Sequence, residues 1–391
     1  MIYQDLILNN KNWNRILTSV KKGKLSHALL FHGPQGSGKE GHALELAAYL
    51  NCSDPLEDGA CGICSSCKKI RTFQHEDVNL IIPLPRGKNW SSDDPIDKLF
   101  RSKKILDEYL SLVSEKGENP YAPLRMSNAN TILINSVRSI KQEASLSSIN
   151  NKWKIFLIFQ AEKLCVPSPE AAHALLKVLE EPPEKTIFIM VSSHPEAIID
   201  TIHSRSQRIF FPAISSSVIE EKLEQSGMEY IQAGIIARIS GGDMSLQSEL
   251  AENSTDLLEK MYHILNASFS SDPKHWEKSI DIVSRMKMSS TAKLEQLFKC
   301  IGLFIRDLLY YASTMNDADI VFKNQVGKIN KIVNSYPNAD WQQCLNQVEL
   351  TQEYIKRNGY VPLVITNLIM DLQQSINGEF HEPFNLHEWS N

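Results

Sequence analysis

A glycine-rich loop at residues 33–39 is the first feature of this sequence that could do chemistry. Its residues, Gly-Pro-Gln-Gly-Ser-Gly-Lys, have the G-x-x-x-x-G-K spacing of a phosphate-binding loop. Glycines let backbone N–H groups close around phosphate oxygens, and the lysine ammonium reaches the outer phosphates. The next residue is Glu40, where an ATP-hydrolysing loop has the Ser or Thr hydroxyl that binds Mg²⁺. The candidate residues of this degenerate phosphate loop are Gly33, Gly36, Gly38 and Lys39.

A second departure from an active ATPase lies at the end of the later apolar run 154–159. Phosphate-loop ATPases carry an acidic pair there, one carboxylate for Mg²⁺ and the next to polarise water. This chain has Phe159 and Gln160 instead. Phenylalanine cannot bind Mg²⁺ and glutamine is not a general base. A chance match to the loop pattern is the alternative, but the two departures agree with each other and favour a phosphate loop that has lost its chemistry.

Four cysteines close together in sequence could bind a metal ion. They follow a C-x8-C-x2-C-x2-C pattern. Four thiolates suit a tetrahedral zinc ion with no open position, so the metal would be structural rather than catalytic. An iron–sulfur cluster, which also uses four cysteines, and unmetallated thiols remain as alternatives. The candidate ligands are Cys52, Cys61, Cys64 and Cys67.

The elements that must position these residues are predicted from apolar patterning. The run 28–31 ends at the glycine-rich loop, and a helical pattern follows it. The runs 154–159 and 186–191 are apolar without alternation, which is typical of strands covered on both faces of a parallel sheet. A helix between them ends at Pro182, since proline cannot continue it. Strand–helix alternation therefore predicts an α/β domain over 1–211.

Beyond Pro212 the strand signals end and helical periodicity dominates. The pattern predicts α/β followed by all-α, with a small helical domain over 212–252 and a longer helical domain over 253–391. Apolar side chains of one predicted helix fall on one stripe: Leu294, Leu297, Phe298, Ile301, Phe304, Ile305 and Leu308. A further apolar helix is predicted near 361–376. Residues 83–130 are expected to form an irregular excursion between strands, with one short helix near 95–114, and the sequence assigns no role to 81–130.

Composition narrows the class of protein. The chain of 391 residues has 42% hydrophobic residues and a net charge of -5, so it is globular and has no overall basic footprint for nucleic acid. Seven cysteines are too few for a disulfide scaffold in a chain of this length. No apolar run approaches the length of a membrane span, and the first residues lack the layout of a signal peptide. The expected location is the cytoplasm, with no membrane partner.

Taken together, these motifs resemble the clamp-loader family of AAA+ proteins. Residues 27–39 are similar to the family's first strand and phosphate loop, and bacterial members have a four-cysteine zinc module at the same point. Residues 174–183, Ala-Leu-Leu-Lys-Val-Leu-Glu-Glu-Pro-Pro, are close to the family's ALLK-LEEPP helix. The resemblance covers 1–80 and 130–250. It implies an AAA+ phosphate-loop sheet with an inserted zinc module, a helical lid and a helical collar for oligomerisation.

The resemblance also implies a role for Arg205. Ser204-Arg205-Ser206 stands where the family has Ser-Arg-Cys, whose arginine stabilises charge on a neighbouring subunit's γ-phosphate. The alternative is an arginine that is merely salt-bridged near a helix end. The family's second sensor arginine aligns with residues 242–245, which contain no arginine. We expect a chain that supplies an arginine finger to a neighbour, with its own ATP binding lost or vestigial.

Within the family these departures match the δ′-type subunits of bacterial DNA polymerase III. The implied partners are γ/τ-type and δ-type subunits in a hetero-pentamer, the sliding clamp, and primed DNA through the complex. One alternative is an ATP-hydrolysing γ/τ-type subunit. Another is a nucleotide-free, zinc-containing DNA-binding or adaptor protein. Hydrolysis by the isolated chain, or failure to purify with loader subunits, would separate these alternatives.

Overall fold

The computed structural model describes residues 1–86, 91, 94–145, 152–270 and 272–377. The chain forms two compact units. Unit 1 consists of Met1–Ile214 together with the short segment Asp243–Ser245, and unit 2 consists of Ser215–Gly242 and the chain from Leu246 onward. The end of the predicted collar, residues 378–391, lies outside the described residues.

Unit 1 is built on a parallel sheet. Within the described residues its strands are β1 (Ala28–His32), β2 (Val78–Ile81), β3 (Lys154–Phe159), β4 (Thr186–Ser192) and β5 (Gln207–Phe210). Their order is β2-β3-β4-β1-β5, and every neighbouring pair is parallel. The strand that leads into the phosphate loop, β1, therefore lies inside the sheet, and β5 lies at one edge.

The described helices of unit 1 are α1 (Asn10–Lys21), α2 (Lys39–Asn51), α3 (Ser65–Arg71), α4 (Lys103–Glu118), α5 (Ile134–Ser145), α6 (Glu170–Glu180) and α7 (Asp200–His203). Of these, α2 packs against β1, β3 and β4. On one face, α5, α6 and α7 pack with the sheet around Phe156 and Phe188, whose rings stack 5.1 Å apart. Every residue of β3 and β4 is buried, which confirms the reading of their continuous apolar runs.

In the described part of unit 2, the regular secondary structure is all helical. Its helices are α8 (Ser216–Gln225), α9 (Tyr230–Ser240), α10 (Gln247–Phe269), α11 (Pro273–Ser289), α12 (Thr291–Thr314), α13 (Val326–Ser335), α14 (Trp341–Lys356) and α15 (Val361–Asn377). The predicted apolar stripe lies on α12 and all seven of its side chains are buried. The structure confirms the predicted order of an α/β part followed by an all-α part.

The predicted boundary at residue 252 falls inside α10, and the division of the helical part into lid and collar stays a prediction. The excursion 81–130 contains a 3₁₀ turn at Ile96–Arg101 and then α4. In the described part of the chain, no helix is both long enough and apolar enough to cross a membrane.

Candidate functional site

The predicted phosphate loop lies between the end of β1 and the start of α2. Gly33, Gly36 and Gly38 all have positive φ, which favours residues without a Cβ. A Cβ on Gly33 would lie 2.0 Å from the carbonyl oxygen of Phe211, and one on Gly36 would lie 1.8 Å from Oδ1 of Asp243. The glycines therefore serve close backbone packing inside unit 1 as well as the turn itself.

Lys39 is folded back onto its own loop. Its Nζ donates to the carbonyl oxygen of Gly33 at 2.8 Å, to the carbonyl oxygen of Pro34 at 2.5 Å and to Oγ of Ser37 at 3.3 Å. The residue is 5% exposed, and burial lowers the pKa of its ammonium to about 8. In this conformation the Lys39 ammonium, which would otherwise reach a phosphate, donates its hydrogen bonds to oxygens of the loop.

Glu40 pairs with a lysine from the excursion. Nζ of Lys116, at the end of α4, forms an ion pair with Oε2 of Glu40 and also donates to the carbonyl oxygen of Ala122 at 2.8 Å. The hydroxyl of Tyr3 donates to the carbonyl oxygen of Lys116 at 2.8 Å. The segment to which the sequence assigned no role thus packs against the phosphate loop. The signal in the sequence was the unusual carboxylate at position 40, which needs a cation once it is partly buried.

The segment Asp243–Ser245 covers the other side of the loop within unit 1. The backbone N–H of Met244 donates to the carbonyl oxygen of Gly36 at 3.3 Å, and the side-chain amide of Gln35 donates to Oγ of Ser245 at 3.4 Å. The Asp243 carboxylate accepts from the backbone N–H of Ser245 at 2.9 Å. At the position that the family resemblance gives to a sensor arginine, this chain therefore has Ser245, whose hydroxyl oxygen contacts Gln35 of the glycine-rich loop, while the Asp243 carboxylate lies against Gly36.

The end of β3 shows one residue that the sequence analysis missed. Phe159 is fully buried, and the amide of Gln160 donates to the carbonyl oxygen of Leu124 at 2.9 Å, so neither takes the place of an acidic pair. Two residues further on, Glu162 is buried and accepts a 2.6 Å hydrogen bond from Oγ of Ser192 at the end of β4. Glu162 lines the cleft beside Lys39, where only a three-dimensional arrangement could reveal it.

The cleft at the phosphate loop is small. Its cavity volume is about 50 Å³, whereas sites for ligands of nucleotide size typically have roughly 300 Å³ or more. Residues from the excursion, including Tyr121 and Arg125, form one wall. In this conformation the arrangement holds an internal network of ion pairs and hydrogen bonds rather than a space for a nucleoside triphosphate.

The four predicted metal ligands converge at the junction of α2 and α3. Their Sγ atoms all lie within 4.8 Å of one another. The separations are 3.6 Å for Cys52 and Cys67, 3.9 Å for Cys52 and Cys64, and 3.9 Å for Cys61 and Cys67. These distances are too long for disulfide bonds, which are about 2.05 Å. Zinc–sulfur bonds of about 2.3 Å in a tetrahedron give sulfur separations of about 3.8 Å, so the cluster fits one zinc ion.

The donors around the sulfurs also suit a structural metal site. Backbone N–H groups of Cys61, Cys64 and Cys67 each point at the sulfur of the preceding cysteine of the cluster, at 3.4 Å. Such hydrogen bonds stabilise thiolate ligands. Four sulfur atoms within 4.8 Å of one another fit around a single metal ion better than around an iron–sulfur cluster, which contains several iron atoms.

Arg205 lies just after α7 and is partly exposed. Its Nη2 is 2.7 Å from Oε1 of Glu180, at the end of α6, and its Nη1 donates to the carbonyl oxygen of Thr201 at 3.1 Å. The Arg205 side chain is 36% exposed and that of Glu180 is 50% exposed. The salt bridge considered as the alternative for this residue is therefore present, and it leaves the guanidinium accessible from solvent.

Comparison with known proteins gives the family. The model described as DNA polymerase III, delta subunit, matches residues 8–215. This chain belongs to that family. The match spans the sheet, the phosphate loop, the cysteine cluster and Arg205, and the predicted membership of the clamp-loader family of AAA+ proteins is confirmed.

Two relatives come from Bacillus subtilis (strain 168). The chain is 26% identical to DNA polymerase III subunit delta' over 258 residues, which cover 64% of this chain and 63% of that protein. It is 27% identical to DNA polymerase III subunit tau over 267 residues, which cover 66% of this chain and 39% of that protein. The chain thus matches less than two thirds of the length of either relative.

A solved structure of a gamma subunit-related protein from Thermotoga maritima is also similar. It is 15% identical to this chain, and the superposition covers 92% of this chain and 99% of that one with a TM-score of 0.39.

Proposed function

We propose that this chain is a δ′-type subunit of the DNA polymerase III clamp loader, which helps to place the sliding clamp on primed DNA. It does not hydrolyse ATP itself. It works with γ/τ-type and δ-type subunits in a hetero-pentamer, and it supplies Arg205 to the ATP site of an adjoining γ/τ-type subunit.

The closed phosphate loop is the observation that carries this proposal. Lys39 donates to carbonyl oxygens of its own loop, and Glu40 is paired with Lys116. A Mg²⁺-dependent ATPase needs a hydroxyl at position 40 and an ammonium directed at the nucleotide. Both γ/τ-type and δ′-type relatives match the chain, and the loop favours the δ′ type.

The exposure of Arg205 supports a role in a neighbour's site. An arginine finger needs a guanidinium at the surface that can leave its resting partner. The Glu180 pair is half exposed, and such pairs contribute at most about 1 kcal/mol to stability, so the arginine can exchange partners at little cost.

The zinc ion is proposed as a structural part of the same protein. The four cysteines supply all positions of a tetrahedron, which leaves none for substrate or water. The metal would fix the chain between α2 and α3 and take no part in nucleotide chemistry.

Reconstitution with γ/τ-type and δ-type subunits tests the proposal. We expect Arg205→Ala to fold and assemble as the unchanged chain does. The clamp- and DNA-stimulated ATPase rate at the site that it completes should fall by about a thousandfold, because arginine fingers contribute 10³ or more. The complex would then keep only the activity of its other sites.

Arg101→Ala, which changes an exposed arginine far from Arg205 in sequence, is the matched control and should leave the rate unchanged. An Arg205→Ala complex with full activity would remove the finger assignment. ATP hydrolysis by the isolated chain would instead favour a γ/τ-type subunit.

A further inference from the structure

A second cleft lies at the β5 edge of the sheet. It is bounded by the first turns of α1 and by the carboxyl ends of β1 and β5. Its cavity volume is about 620 Å³, which is much larger than the cleft at the phosphate loop. Every residue that lines it belongs to unit 1.

The charges that line this cleft are positive. Lys11 and Arg15 stand four residues apart on α1 and therefore share a face, and Arg208 on β5 lies across from them. All three are exposed. Among the described residues that line the cleft there is no carboxylate. Like charges at this helical spacing cost a few tenths of a kcal/mol, so the arrangement favours an anionic ligand.

An aromatic ring stands among these cations. Phe210 is 57% exposed, although it ends a strand of the sheet. Its backbone carbonyl accepts a 2.7 Å hydrogen bond from the side-chain amide of Asn12, which ties β5 to α1. The ring lies 5.5 Å from the ring of His32. Burial and the neighbouring Arg208 lower the pKa of His32, which favours the neutral form of its imidazole beside Phe210.

We propose that this cleft binds single-stranded nucleic acid. Lys11, Arg15 and Arg208 contact successive phosphates, and an unpaired base stacks on Phe210. Positive grooves with accessible aromatic rings are the usual means of binding single strands without sequence preference. The site is independent of the proposed function, because it needs neither the loader partners nor Arg205.

Unpaired bases fit this cleft better than the two obvious alternative ligands. A duplex hides the faces of its bases within the stack, so it could use the cations but not Phe210. An acidic polypeptide could also use the cations, but it has no need of an exposed aromatic ring. The ring therefore decides in favour of a single strand.

Fluorescence anisotropy with a labelled oligothymidylate, on the intact isolated chain, tests the proposal. Three phosphate contacts predict that log K falls with log salt at a slope of about -2. We expect Phe210→Leu, which keeps an apolar side chain but loses the ring, to weaken binding about tenfold. Arg208→Ala should weaken binding and reduce the size of the slope by about 0.7.

Arg101→Ala is the matched control for the loss of one exposed arginine and should bind as the unchanged chain does. Circular dichroism and thermal unfolding of each variant show whether the fold is kept. Binding that Phe210→Leu and Arg208→Ala leave unchanged would overturn the proposal. Polyglutamate that binds as tightly as the oligothymidylate, with no effect of Phe210→Leu, would point to an acidic polypeptide and also overturn it.

Discussion

At the scale of single residues, the loop lysine and the carboxylate that follows it both have partners inside the protein. The Lys39 ammonium donates its hydrogen bonds to oxygens of its own loop. The Glu40 carboxylate forms an ion pair with Lys116, whose side chain is 1% exposed. A buried ammonium depends on its partner, because its charge has lost its hydration. The Glu40 carboxylate therefore has a structural role at a position where active loops have a catalytic hydroxyl.

Restoring the hydroxyl with Glu40→Thr should destabilise the protein. The change leaves Lys116 buried with the Ala122 carbonyl but without a counter-charge, and we expect the free energy of unfolding to fall by about 3 kcal/mol. Denaturant unfolding measures this. The double variant Glu40→Thr/Lys116→Met, which removes the stranded charge, should recover much of the loss. A single variant as stable as the unchanged chain would contradict the role assigned to the pair.

His42 is a second buried group, and its hydrogen-bond partners determine which ring nitrogen carries the proton. Its Nε2 accepts from the backbone N–H of Asn9 at 3.0 Å, so its Nδ1 carries the proton and donates to the carbonyl oxygen of Gly38 at 2.7 Å. Burial lowers the pKa of His42 to about 4. A second proton on Nε2 would face the N–H of Asn9.

This predicts a loss of stability on acidification. Between its ordinary pKa of 6.5 and its folded pKa of about 4, His42 binds a proton in the unfolded chain but not in the folded one. The free energy of unfolding should therefore fall as the pH falls through this range, by about 2 kcal/mol at pH 5 from this residue. Unfolding curves at several pH values measure the slope. His42→Gln should flatten it, and His194→Gln, at an exposed histidine, should not. Equal slopes in all three proteins would refute the assignment.

The residues of the phosphate-loop site that are close together in sequence could be predicted, whereas those that are distant in sequence could not. Gly33 to Lys39 were recognised because their spacing is local. Lys116 and Glu162 gave no such signal, since only the packing of α4 and the end of β3 beside the loop brings them to it. The lack of an arginine in 242–245 was visible, but the placement of the Asp243 carboxylate against Gly36 was not.

At the scale of elements, α3 depends on the cysteine cluster. It has seven residues, which is too short for a helix to be stable by itself in water. Cys64 caps its first turn and Cys67 lies within it. A metal bound by these two residues and by Cys52 at the end of α2 would hold the helix in place.

Metal analysis should therefore find about one zinc ion per chain, which four thiolates bind as a closed site. Cys64→Ser should lose the zinc, and increased hydrogen exchange should be confined to the module around α3. Cys165→Ser, at a cysteine outside the cluster, is the matched control and should keep the metal. A Cys64→Ser protein that retains full zinc content would rule out this ligand set.

The elements themselves were easier to predict than their boundaries. Continuous apolar runs predicted β1, β3 and β4, because a strand that is buried on both faces has apolar residues at successive positions. Apolar residues at helical spacing predicted the buried face of α12, because a helix that is buried on one side has them on one stripe only. The short edge strands β2 and β5 gave weaker signals, since their residues are partly exposed. The helix predicted near 95–114 was placed too early, because the stretch is rich in polar residues and proline; the structure has a 3₁₀ turn at Ile96–Arg101 followed by α4.

At the scale of the whole molecule, unit 2 exposes two apolar side chains on one face of α15. Leu363 and Met370 stand two helical turns apart on α15, and they are 46% and 44% exposed. Exposed apolar side chains that share a face of a helix lose contact with water when another protein covers them, which stabilises the contact. In the proposed loader, this face would contact the helical unit of a neighbouring subunit.

Leu363→Asp should therefore weaken assembly while the chain stays folded. A charge in the centre of such a contact is expected to reduce the affinity for γ/τ-type and δ-type subunits by about 30-fold or more. Analytical ultracentrifugation of the mixed subunits measures it. Leu110→Asp changes a leucine of similar exposure, 51%, on α4 of unit 1 and should assemble normally. Equal assembly of both variants would show that α15 does not form the contact.

The assignment of Asp243–Ser245 to unit 1 affects how fragments of this protein can be designed. These residues lie within the stretch of chain that otherwise belongs to unit 2, so the α/β unit is not continuous in sequence. A fragment that ends at Ile214 would lack the Met244 N–H group that donates to the carbonyl oxygen of Gly36, and the Ser245 hydroxyl oxygen that accepts from the side-chain amide of Gln35. Nucleotide affinities measured on such a fragment would describe a loop uncovered by truncation, and the intact chain is the material on which ATP binding has meaning.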